Sequence, residues 1–503
     1  MLRIHGLQVQ PIIGLELHAQ LATRTKLLCG CPVEFGAAAN SRVCPVCLGL
    51  PGALPVLNRT AVEYAVRTAL ALNCRIPPHS FWERKNYWYP DLPKNYQISQ
   101  YRIPLGRAGH FEVPWKDGPI RVGIRRVHLE EDAGKSIHDL PGFSGIDLNR
   151  AATPLVEIVT DPDLHSAEEV RELAAQLRRL LRHLGVSHAD MERGQMRVEP
   201  NINVRIRASG EEYCTPIVEV KNLNSLRTLE AAVRCEIDRQ VLEWQATGVT
   251  AGAGNRSNRG WDEARGMTVP QREKEEEHDY RYFPEPDLLP IALERDWVDR
   301  LAHDLPELPI RRAQRFMREF HVSWRQGLAL VDDRATADLL EAAAAGGAHR
   351  PTLAKHFLSF WARSANERGT TIANLGIAPA RLAELANLVY QGHVNATAAA
   401  RLAGHMLETR EPPTDLAGRL GLLRSPDRAQ LAAWVEQAIR GQSKAVDDAL
   451  RNPKKAQAAR GFLVGQIMKA SAGRADARLA AEMLEQRLSE LATEAETDRE
   501  GEE

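Results

Sequence analysis

Three consecutive acidic residues, Glu130, Glu131 and Asp132, run into a Gly-Lys-Ser turn within VHLEEDAGKSIH, residues 127–138. Neighbouring carboxylates repel one another unless a divalent cation or several basic groups lie among them, and hard oxygen ligands suit Mg²⁺. The turn is not a nucleotide-binding P-loop, because that motif needs a glycine where position 129 has Leu. The segment is predicted to be a strand and turn that carries acids to a metal and phosphate site. A solvated acidic turn is the alternative.

A carboxylate and an imidazole lie close together in PIIGLELHAQL, residues 11–21. The alternation of apolar and polar residues predicts a half-buried strand with Glu16 and His18 on the same face. Side by side, these groups can ligate a metal or orient a reacting group. The alternative is a polar strand face exposed to water.

Glu157 is a lone acid in the apolar, strand-like segment TPLVEIVTDPD. A buried carboxylate without a partner is costly. We therefore expect a metal, an arginine or backbone N–H groups beside Glu157.

Four of the seven cysteines form two close pairs, Cys29 with Cys31 and Cys44 with Cys47. This pattern matches a structural, tetrahedral Zn²⁺ site with four thiolate ligands. Four reduced thiols on a loop are the alternative. The other three, Cys74, Cys214 and Cys235, are isolated and predicted to be structural.

Basic and aromatic residues alternate in FWERKNYWYPDLPKNYQISQ, which includes Lys85, Asn86 and Tyr87. Such a segment can stack a base and hold phosphates. An aromatic cluster that covers a sheet edge, with solvated basic neighbours, is the alternative. A compact polar group that contains Glu219 and Lys221 is carried by the strand predicted in TPIVEVKNLNS. We expect Lys85, Asn86, Tyr87, Glu219 and Lys221 to be the nucleotide-binding residues.

Length and composition indicate an ordinary globular protein. The chain has 503 residues, of which 44% are hydrophobic and 26% charged, and its formal net charge is -1. This length predicts about three domains. A global basic field is excluded, so nucleic acid must be bound by local patches. No apolar run reaches the ~18 residues of a membrane span and no signal peptide is recognisable, which favours the reducing cytoplasm.

Other elements follow from periodicity and capping signals. Helices are predicted at 60–73, from Ser166 to Gly185 and at 225–247, and the Gly-rich segment Gly248–Gly260 is predicted to be a mobile hairpin or lid. From Asp296 onwards the pattern is helical. Residues 441–480 contain eight Lys or Arg and three Asp, enough for a nucleic-acid-binding patch. An ordinary basic helical face is the alternative.

The chain resembles the B subunits of bacterial aspartyl/glutamyl-tRNA amidotransferases over essentially its whole length. Eight blocks carry the resemblance in order: IGLELHAQL, CPVCLGLPGALPVLN, RKNYWYPDLPKNYQISQ, HLEEDAGKSIH, TPLVEIVTDPD, VEVKNLNS, DYRYFPEPDLLP and GFLVGQIMKAS. Two departures are small. Trp82-Glu83 stands where Phe-Asp is usual, and Ala152 stands where Gly is usual.

The resemblance implies an α+β fold in three parts. Residues 1–295 would form a cradle domain on an antiparallel sheet, distantly like glutamine synthetase, with a zinc-binding insert near residues 29–47. Residues 296–408 would form a helical domain. Residues 409–503 would form a small helical tail domain that binds tRNA.

The resemblance also implies a reaction. ATP would phosphorylate the side-chain carboxylate of Glu mischarged on tRNA(Gln), or of Asp on tRNA(Asn), and ammonia would displace the phosphate. Phosphoryl transfer of this kind relies on positioning and on Mg²⁺ held by carboxylates. Glu16, His18, Glu131 and Glu157 match the family's metal and phosphate site, and Glu130 replaces Glu131 if the strand register differs by one residue.

Implied partners are an amidase (A) subunit that makes ammonia from glutamine, a small C subunit, and the misacylated tRNA. The non-discriminating aminoacyl-tRNA synthetase is a further candidate. A non-catalytic tRNA-binding scaffold in the same complex is the alternative function. The sequence leaves open whether the Glu-tRNA(Gln) or the Asp-tRNA(Asn) reaction is used, or both.

Overall fold

The computed structural model describes residues 2–137, 142–252, 254–273, 280–424, 428–471 and 473–500. The chain divides into two compact units, Met1–Arg312 and Ala313–Glu503. All strands in the described ranges belong to the first unit, and the second unit is helical. The α+β class is therefore confirmed as a sheet-rich N-terminal part followed by a helical C-terminal region.

The first unit is built mainly from strands. They are β1 (Leu2–Ile4), β2 (Leu7–Gln20), β3 (His79–Ser80), β4 (Glu83–Asn86), β5 (Tyr96–Ser99), β6 (Gly106–Val113), β7 (Ile120–Glu131), β8 (Lys135–Ile137), β9 (Gly145–Asp147), β10 (Pro154–Thr160), β11 (Met196–Ala208), β12 (Glu211–Cys214), β13 (Val218–Lys221), β14 (Ser257–Asp262), β15 (Met267–Glu273), β16 (Phe283–Pro284) and β17 (Ile291–Ala292). Its helices are α1 (Arg59–Ala71), α2 (Ala167–His183), α3 (Leu226–Thr247) and α4 (Arg295–His303). The three predicted helices of this region are confirmed as α1, α2 and α3.

One ten-stranded sheet dominates this unit, with the order β15-β14-β13-β11-β2-β10-β7-β6, while β1 pairs with β2 and β12 with β11. Its pairs are antiparallel except β13 with β14, which run parallel. Strand β2 lies at the centre because its 14 residues pair with both β10 and β11. Smaller sheets join β16-β4-β5, β17-β3 and β8-β9.

Helices cover one face of the main sheet. Helix α1 contacts β6 and β7, α3 contacts β11, and α2 contacts α3. Alternate residues of β2, namely Leu15, Leu17 and Ala19, are buried in the resulting core. Because strand side chains alternate between faces, the residues between them point away from the helices.

The predicted loop Gly248–Gly260 is shorter than expected. Its last residues belong to β14, which pairs with β13 and with β15. The prediction of a loop to residue 260 was wrong, because the sequence SNRG has no apolar alternation and its strand character comes from pairing between distant segments.

The second unit contains α6 (Trp324–Leu330), α7 (Arg334–Ala345), α8 (Arg350–His356), α9 (Ala362–Glu367), α10 (Pro379–Tyr390), α11 (Ala396–Met406), α12 (Pro413–Arg419), α13 (Arg428–Gly441), α14 (Ser443–Arg451), α15 (Ala456–Ala470) and α16 (Ala477–Glu500). Helix α5 (Pro309–Phe320) includes the division point. A π-helical turn, Phe357–Trp361, joins α8 to α9, and Ala373–Leu375 form a 3₁₀ turn. In the described ranges, no helix is both long and apolar enough to cross a membrane.

Two separate hydrophobic cores lie in the second unit. One extends from Ala313 to Leu422 and the other from Leu431 to Leu488. Helix α4 belongs to the first unit, because its Leu301 is part of the core of that unit. The division into domains 1–295, 296–408 and 409–503 stays a prediction.

His356 is expected to make the second unit acid-sensitive. Its side chain is buried at the end of α8, and its Nδ1 has no hydrogen-bond partner in the part of the chain that is described. Burial, with a smaller effect of Lys355, lowers the pKa of His356 to about 4. The unfolded chain, with a histidine pKa near 6.5, then binds the proton better. The contribution of neutral His356 to the free energy of unfolding is fully present above pH ~6.5. The free energy of unfolding falls by about 3 kcal/mol towards pH ~4.

A His356→Leu variant removes this proton-binding group while it keeps an apolar side chain. We expect the melting temperature of the variant to rise relative to wild type as the pH is lowered from 7 to 5. Thermal unfolding followed by circular dichroism measures the difference. His405→Gln, at a half-exposed histidine, is the control. Equal pH dependence of His356→Leu and wild type would contradict the assignment.

Candidate active site on the polar face of the sheet

The face of the main sheet that points away from the helices carries the predicted site. Glu16 and His18 lie on it, as the alternation of β2 predicted. The pairing of adjacent strands brings residues of β7, β10, β11 and β13 next to them. We call this surface the polar face. Its polar residues on the central strands include Glu16, His18, Arg126, His128, Glu130, Glu157, Arg197, Glu199, Asn201, Glu219 and Lys221.

Two histidines and two glutamates form a buried cluster on this face. Glu157 is paired in register with His18 on β2 and with His128 on β7. Its Oε2 lies 3.3 Å from His18 Nε2 and 3.1 Å from His128 Nε2. Glu130 Oε1 lies 3.3 Å from His18 Nε2, and Glu130 Oε2 lies 3.8 Å from His128 Nε2. We call these four residues the His-Glu cluster.

The charges of the cluster stabilise one another. Burial alone would lower the pKa of His18, but the charges of Glu157 and Glu130 raise it well above its ordinary value. The pKa of His128 is raised in the same way. Burial and Glu157 would raise the pKa of Glu130, but hydrogen bonds from His128 and His18 lower it to about 2. Without a metal, protonated histidines therefore neutralise the two buried carboxylates.

The donor set fits a divalent cation. One ligand atom each from His18, Glu130 and Glu157 lie within 4.8 Å of one another. Two carboxylates and one imidazole supply oxygen and nitrogen donors, and two of the three residues are buried. A cation held there would neutralise carboxylates that otherwise need protonated histidines. Carboxylate ligands favour Mg²⁺ or Mn²⁺, and the imidazole widens the choice to other divalent metals.

Glu130 and Glu131 point in opposite directions at the end of β7. Glu130 joins the His-Glu cluster. Glu131 forms a buried ion pair with Lys94 and accepts a hydrogen bond from the backbone N–H of Ile98 at 3.0 Å. The structure therefore brings the alternative residue Glu130, and not Glu131, to His18 and Glu157. A role of Glu131 in the metal and phosphate site stays a prediction.

Glu16 lies beside the cluster on the polar face. It is paired in register with Val159 and Glu199, and its Oε1 accepts a hydrogen bond from Asn201 Nδ2 at 3.0 Å. It is not among the residues whose donor atoms converge within the described part of the chain. Its role as a metal ligand also stays a prediction.

Glu219 and Lys221 form the compact polar group that the sequence predicted, together with Glu199. Lys221 Nζ lies 2.6 Å from an oxygen of each glutamate. Burial would lower the pKa of Lys221, but Glu199 and Glu219 raise it above its ordinary value. One lysine thus holds two acids on β11 and β13, and contact with a nucleotide stays a prediction.

Lys85 lies among tyrosines. Its Nζ is 4.7 Å from the ring centre of Tyr280 and 5.8 Å from that of Tyr87. Burial alone would lower the pKa of Lys85, but nearby Tyr282 and Glu130 raise it well above its ordinary value. Lys85 therefore stays charged, and Glu130 links it electrostatically to the His-Glu cluster.

Four tyrosines border the polar face, and we call them the tyrosine group. Ring centres are 6.1 Å apart for Tyr87 and Tyr280 and 6.1 Å apart for Tyr280 and Tyr282, and Tyr101 stacks on Tyr282 at 4.5 Å. Asn86 donates hydrogen bonds from its amide to the carbonyl groups of Tyr280 and Arg281. Asn86 thus holds the backbone at Tyr280 and Arg281 in place. Nucleotide binding by Asn86 or Tyr87 stays a prediction.

The third acid, Asp132, anchors the turn after β7. Its oxygens accept hydrogen bonds at 2.8 Å from Arg197 Nη2 and from Gln20 Nε2. The backbone N–H of Ala152 donates to the Asp132 carbonyl at 2.9 Å. Ala152 has a φ of 64°, in the left-handed region that favours glycine. The positive φ agrees with the expectation, taken from the resemblance, that glycine is usual at this position.

The four predicted zinc ligands converge. The Sγ atoms of Cys29, Cys31, Cys44 and Cys47 lie within 4.8 Å of one another. The backbone N–H of Cys44 donates to Cys47 Sγ at 3.1 Å. The pKa of Cys47 is lowered to about 4, first by a hydrogen bond from Cys29 and further by Lys26. Thiolates at this spacing suit a structural Zn²⁺ site.

Lys26 provides an independent sign that the cysteine site carries negative charge. Its side chain is fully buried, and its Nζ lies 3.6 Å from Cys47 Sγ and 3.4 Å from the Leu148 carbonyl oxygen. A buried ammonium group needs a counter-charge. Four thiolates around Zn²⁺ have a net charge of about -2, which Lys26 would reduce. The residues present therefore fit zinc.

Sequence reasoning missed His128, Lys26 and Arg197, and it named Lys94 only as one of the basic residues among the aromatics. His128 could have been found, because strand alternation puts it on the same face as Glu130. No local signal predicted the partners of Lys26, Lys94 and Arg197, since each contacts an acid or thiol more than 20 positions away.

Two family models match the chain. The model described as "GatB/GatE catalytic domain" matches residues 11–299, and the model described as "GatB domain" matches residues 338–488. The His-Glu cluster, the cysteine site and the tyrosine group all lie in the first of these ranges.

Similar proteins share one description, the B subunit of aspartyl/glutamyl-tRNA(Asn/Gln) amidotransferase. The protein from Thermomicrobium roseum is 44% identical over 495 residues, which cover 96% of this chain and 99% of the relative. The protein from Persephonella marina is 39% identical over 483 residues, which cover 96% and 100%. The protein from Thermodesulfovibrio yellowstonii is 40% identical over 478 residues, which cover 95% and 99%. The chain therefore belongs to the family of the B subunits of aspartyl/glutamyl-tRNA(Asn/Gln) amidotransferases.

Proposed function

We propose that this chain catalyses the ATP-dependent amidation of Glu on tRNA(Gln), of Asp on tRNA(Asn), or of both. The observation that carries the proposal is the His-Glu cluster. It places two buried carboxylates and an imidazole at metal-binding distance on the face of the sheet that the helices leave uncovered. The names of the relatives support the tRNA substrates.

The reaction has two steps. An oxygen of the substrate's side-chain carboxylate attacks the γ-phosphorus of ATP, and ADP leaves. Ammonia then attacks the acyl carbon, phosphate leaves, and the nitrogen loses a proton to give the amide. Phosphorylation is needed because a carboxylate oxygen is a very poor leaving group.

His18, Glu130 and Glu157 would hold the metal, with Glu16 and Glu131 proposed to act at the margin of the same site. Bound Mg²⁺ supplies neutralisation of charge on the phosphoryl oxygens. Lys85 is a half-buried, charged group close to Glu130, and it would pair with a phosphate of ATP. Asn86, Tyr87, Glu219 and Lys221 are proposed as the remaining nucleotide contacts.

The proposal includes partners and location. An amidase (A) subunit would supply ammonia from glutamine, and a small C subunit would complete the heterotrimer. The non-discriminating synthetase would deliver misacylated tRNA in the cytoplasm. A glutamine-synthetase-like cradle is proposed for residues 1–295, supported by the mostly antiparallel main sheet.

Formation of ADP tests the proposal. The chain is assembled with its partner subunits, and ADP and amidated tRNA are measured separately, with glutamine or with free ammonia as the nitrogen donor. We expect ADP formation that depends on misacylated tRNA. A chain that binds tRNA but whose complex forms no ADP would be a scaffold, which is the alternative function.

The tail is proposed to contribute tRNA affinity through its basic residues. Lys454 and Lys455 lie exposed in the turn before α15, and Lys469 is exposed at its end. Removal of everything after Met406 is too severe a test, because Leu416 and Ala417 belong to the first core of the helical unit. Charge substitutions leave that core intact.

We expect the triple variant Lys454→Gln, Lys455→Gln, Lys469→Gln to bind tRNA more weakly at low salt. Each phosphate contact that the variant loses should also reduce the slope of log affinity against log salt by about one. Filter binding or fluorescence anisotropy between about 50 and 200 mM salt measures both quantities. Lys116→Gln, at an exposed lysine of the first unit, is the control. Unchanged affinity of the triple variant at the lowest salt would show that these lysines are only solvated.

A further inference from the structure

Arg126 is a cation on the polar face without an acidic partner among the described residues. It lies on β7, two residues before His128, and is paired in register with Val159 on β10 and Arg107 on β6. Its Nε is buried and finds no hydrogen-bond acceptor in the described ranges. An arginine presents five N–H donors, so an unused guanidinium beside a catalytic cluster needs an explanation.

Three other cations around the site are neutralised by acids of the chain. Lys94 pairs with Glu131, Arg197 with Asp132, and Lys221 with two glutamates. In contrast, Arg126 has no acidic counter-ion among the residues that the structure describes. A buried donor without an acceptor costs about 1–3 kcal/mol. The missing acceptor is then expected on a ligand.

The tyrosine group holds Arg126 without neutralising it. The guanidinium carbon lies 5.6 Å from the ring centre of Tyr101, which in turn stacks on Tyr282. Such a cation–π contact orients the guanidinium but satisfies none of its N–H donors. Lys85 contacts the other end of the same tyrosine group, through Tyr87 and Tyr280.

We propose that Arg126 binds the side-chain carboxylate of the aminoacyl group, and so distinguishes the Glu or Asp substrate from the Gln or Asn product. This inference rests on the proposed function. A planar guanidinium matches a carboxylate in a two-point hydrogen bond, whereas the compact ammonium of Lys85 suits a phosphate equally well. Arg126 is next to His128 on the polar face, so a carboxylate held there lies beside the His-Glu cluster.

A carboxylate site also explains product release. An amide has no negative charge and cannot form the charge-assisted pair with Arg126. Conversion of the carboxylate to an amide therefore removes the interaction that held the substrate. Specificity follows from the same difference, because a site built for one group leaves its donors unpaired with the other.

Binding of two small probes tests the inference without turnover. The probes are 3′-amino-3′-deoxyadenosine carrying glutamate or glutamine through a stable amide, which mimic the ends of Glu-tRNA and Gln-tRNA. The assembled complex is titrated with each probe in the absence of ATP. We expect wild type to prefer the glutamyl probe by about tenfold or more, and Arg126→Met to lose that preference.

Arg107→Met is the matched control, because it removes a positive charge from the exposed residue opposite Arg126 on β6. It should keep the glutamyl preference. Should Arg126→Met not fold, Arg126→Lys decides, since it keeps the charge but loses the two-point geometry. A several-fold drop in preference supports the inference, and a wild-type preference overturns it.

A parallel ATP titration separates the two sources of an oxyanion. Arg126→Met should bind ATP as wild type does. Weakened ATP binding with an intact glutamyl preference would make Arg126 a phosphate contact and overturn the inference. Failure of the proposed function is distinguishable, because it appears as normal amidation by variants of the His-Glu cluster, whereas the probes report binding alone.

Discussion

Glu157→Gln is expected to reduce amidation by at least about 100-fold, with free ammonia as well as with glutamine, because the metal it would hold neutralises charge that develops during phosphoryl transfer. The substitution keeps the shape of the side chain and removes its charge. Glu157 contacts both histidines of the cluster, so loss of its charge removes both of these ion pairs. ADP formation should fall in parallel with amidation, and tRNA affinity should not change.

Binding of Mn²⁺ as a spectroscopic probe gives a second readout. Glu157→Gln and Glu130→Gln should both weaken it. Glu211→Gln, on an exposed strand of the same sheet, is the control and should bind metal normally. Normal amidation by Glu157→Gln with ammonia would show that the His-Glu cluster is not the phosphorylation site.

Glu131→Gln distinguishes between Glu130 and Glu131 as the metal ligand in the acidic run. Loss of its charge leaves Lys94 buried without a partner, and breaking such a pair costs about 3–5 kcal/mol. Reduced stability with normal Mn²⁺ binding supports Glu130 as the metal ligand. Weakened Mn²⁺ binding by Glu131→Gln, with normal binding by Glu130→Gln, would support the assignment of Glu131 instead.

Cys44→Ser is expected to abolish zinc binding and to lower the melting temperature of the full chain by about 10 °C or more. Structural zinc contributes folding free energy directly, and about 1 kcal/mol corresponds to a few degrees in a unit of this size. The zinc content of purified protein should fall from one per chain to none. Loss of the metal would also leave the Lys26 ammonium without the negative charge beside it.

Cys214→Ser is the control for that prediction, because Cys214 is also free but lies on β12, away from the four converging thiols. It should keep its zinc and its melting temperature. A Cys44→Ser protein with a full complement of zinc and unchanged stability would rule out the tetrathiolate site.

Local periodicity predicted much of the first unit. Alternation along β2 was enough to put Glu16 and His18 on one face, and the capping signals at Ser166 and Gly185 located α2. The spacing of the cysteines brought together all four thiols. In each case the signal lies within one segment, where sterics and burial act over a few residues.

Pairing between distant segments could not be read in the same way. The choice between Glu130 and Glu131 depends on which side of β7 faces Glu157, and both residues are buried. Lys94 and Arg197 reach their acids from other strands or loops. Strand β14 forms because β13 and β15 lie on either side of it, although its own sequence is that of a loop.

Strand β2 supplies residues to both the polar face and the core, so the two are inherited together. Leu15 and Leu17 pack in the core while Glu16 and His18 lie on the polar face, so a shift by one residue would move two polar groups into the core and two leucines out of it. Such a chain would not fold, and cells would degrade it. Insertions or deletions within this strand are therefore expected to prevent folding, whereas changes of sequence in the surface loops of the protein are tolerated.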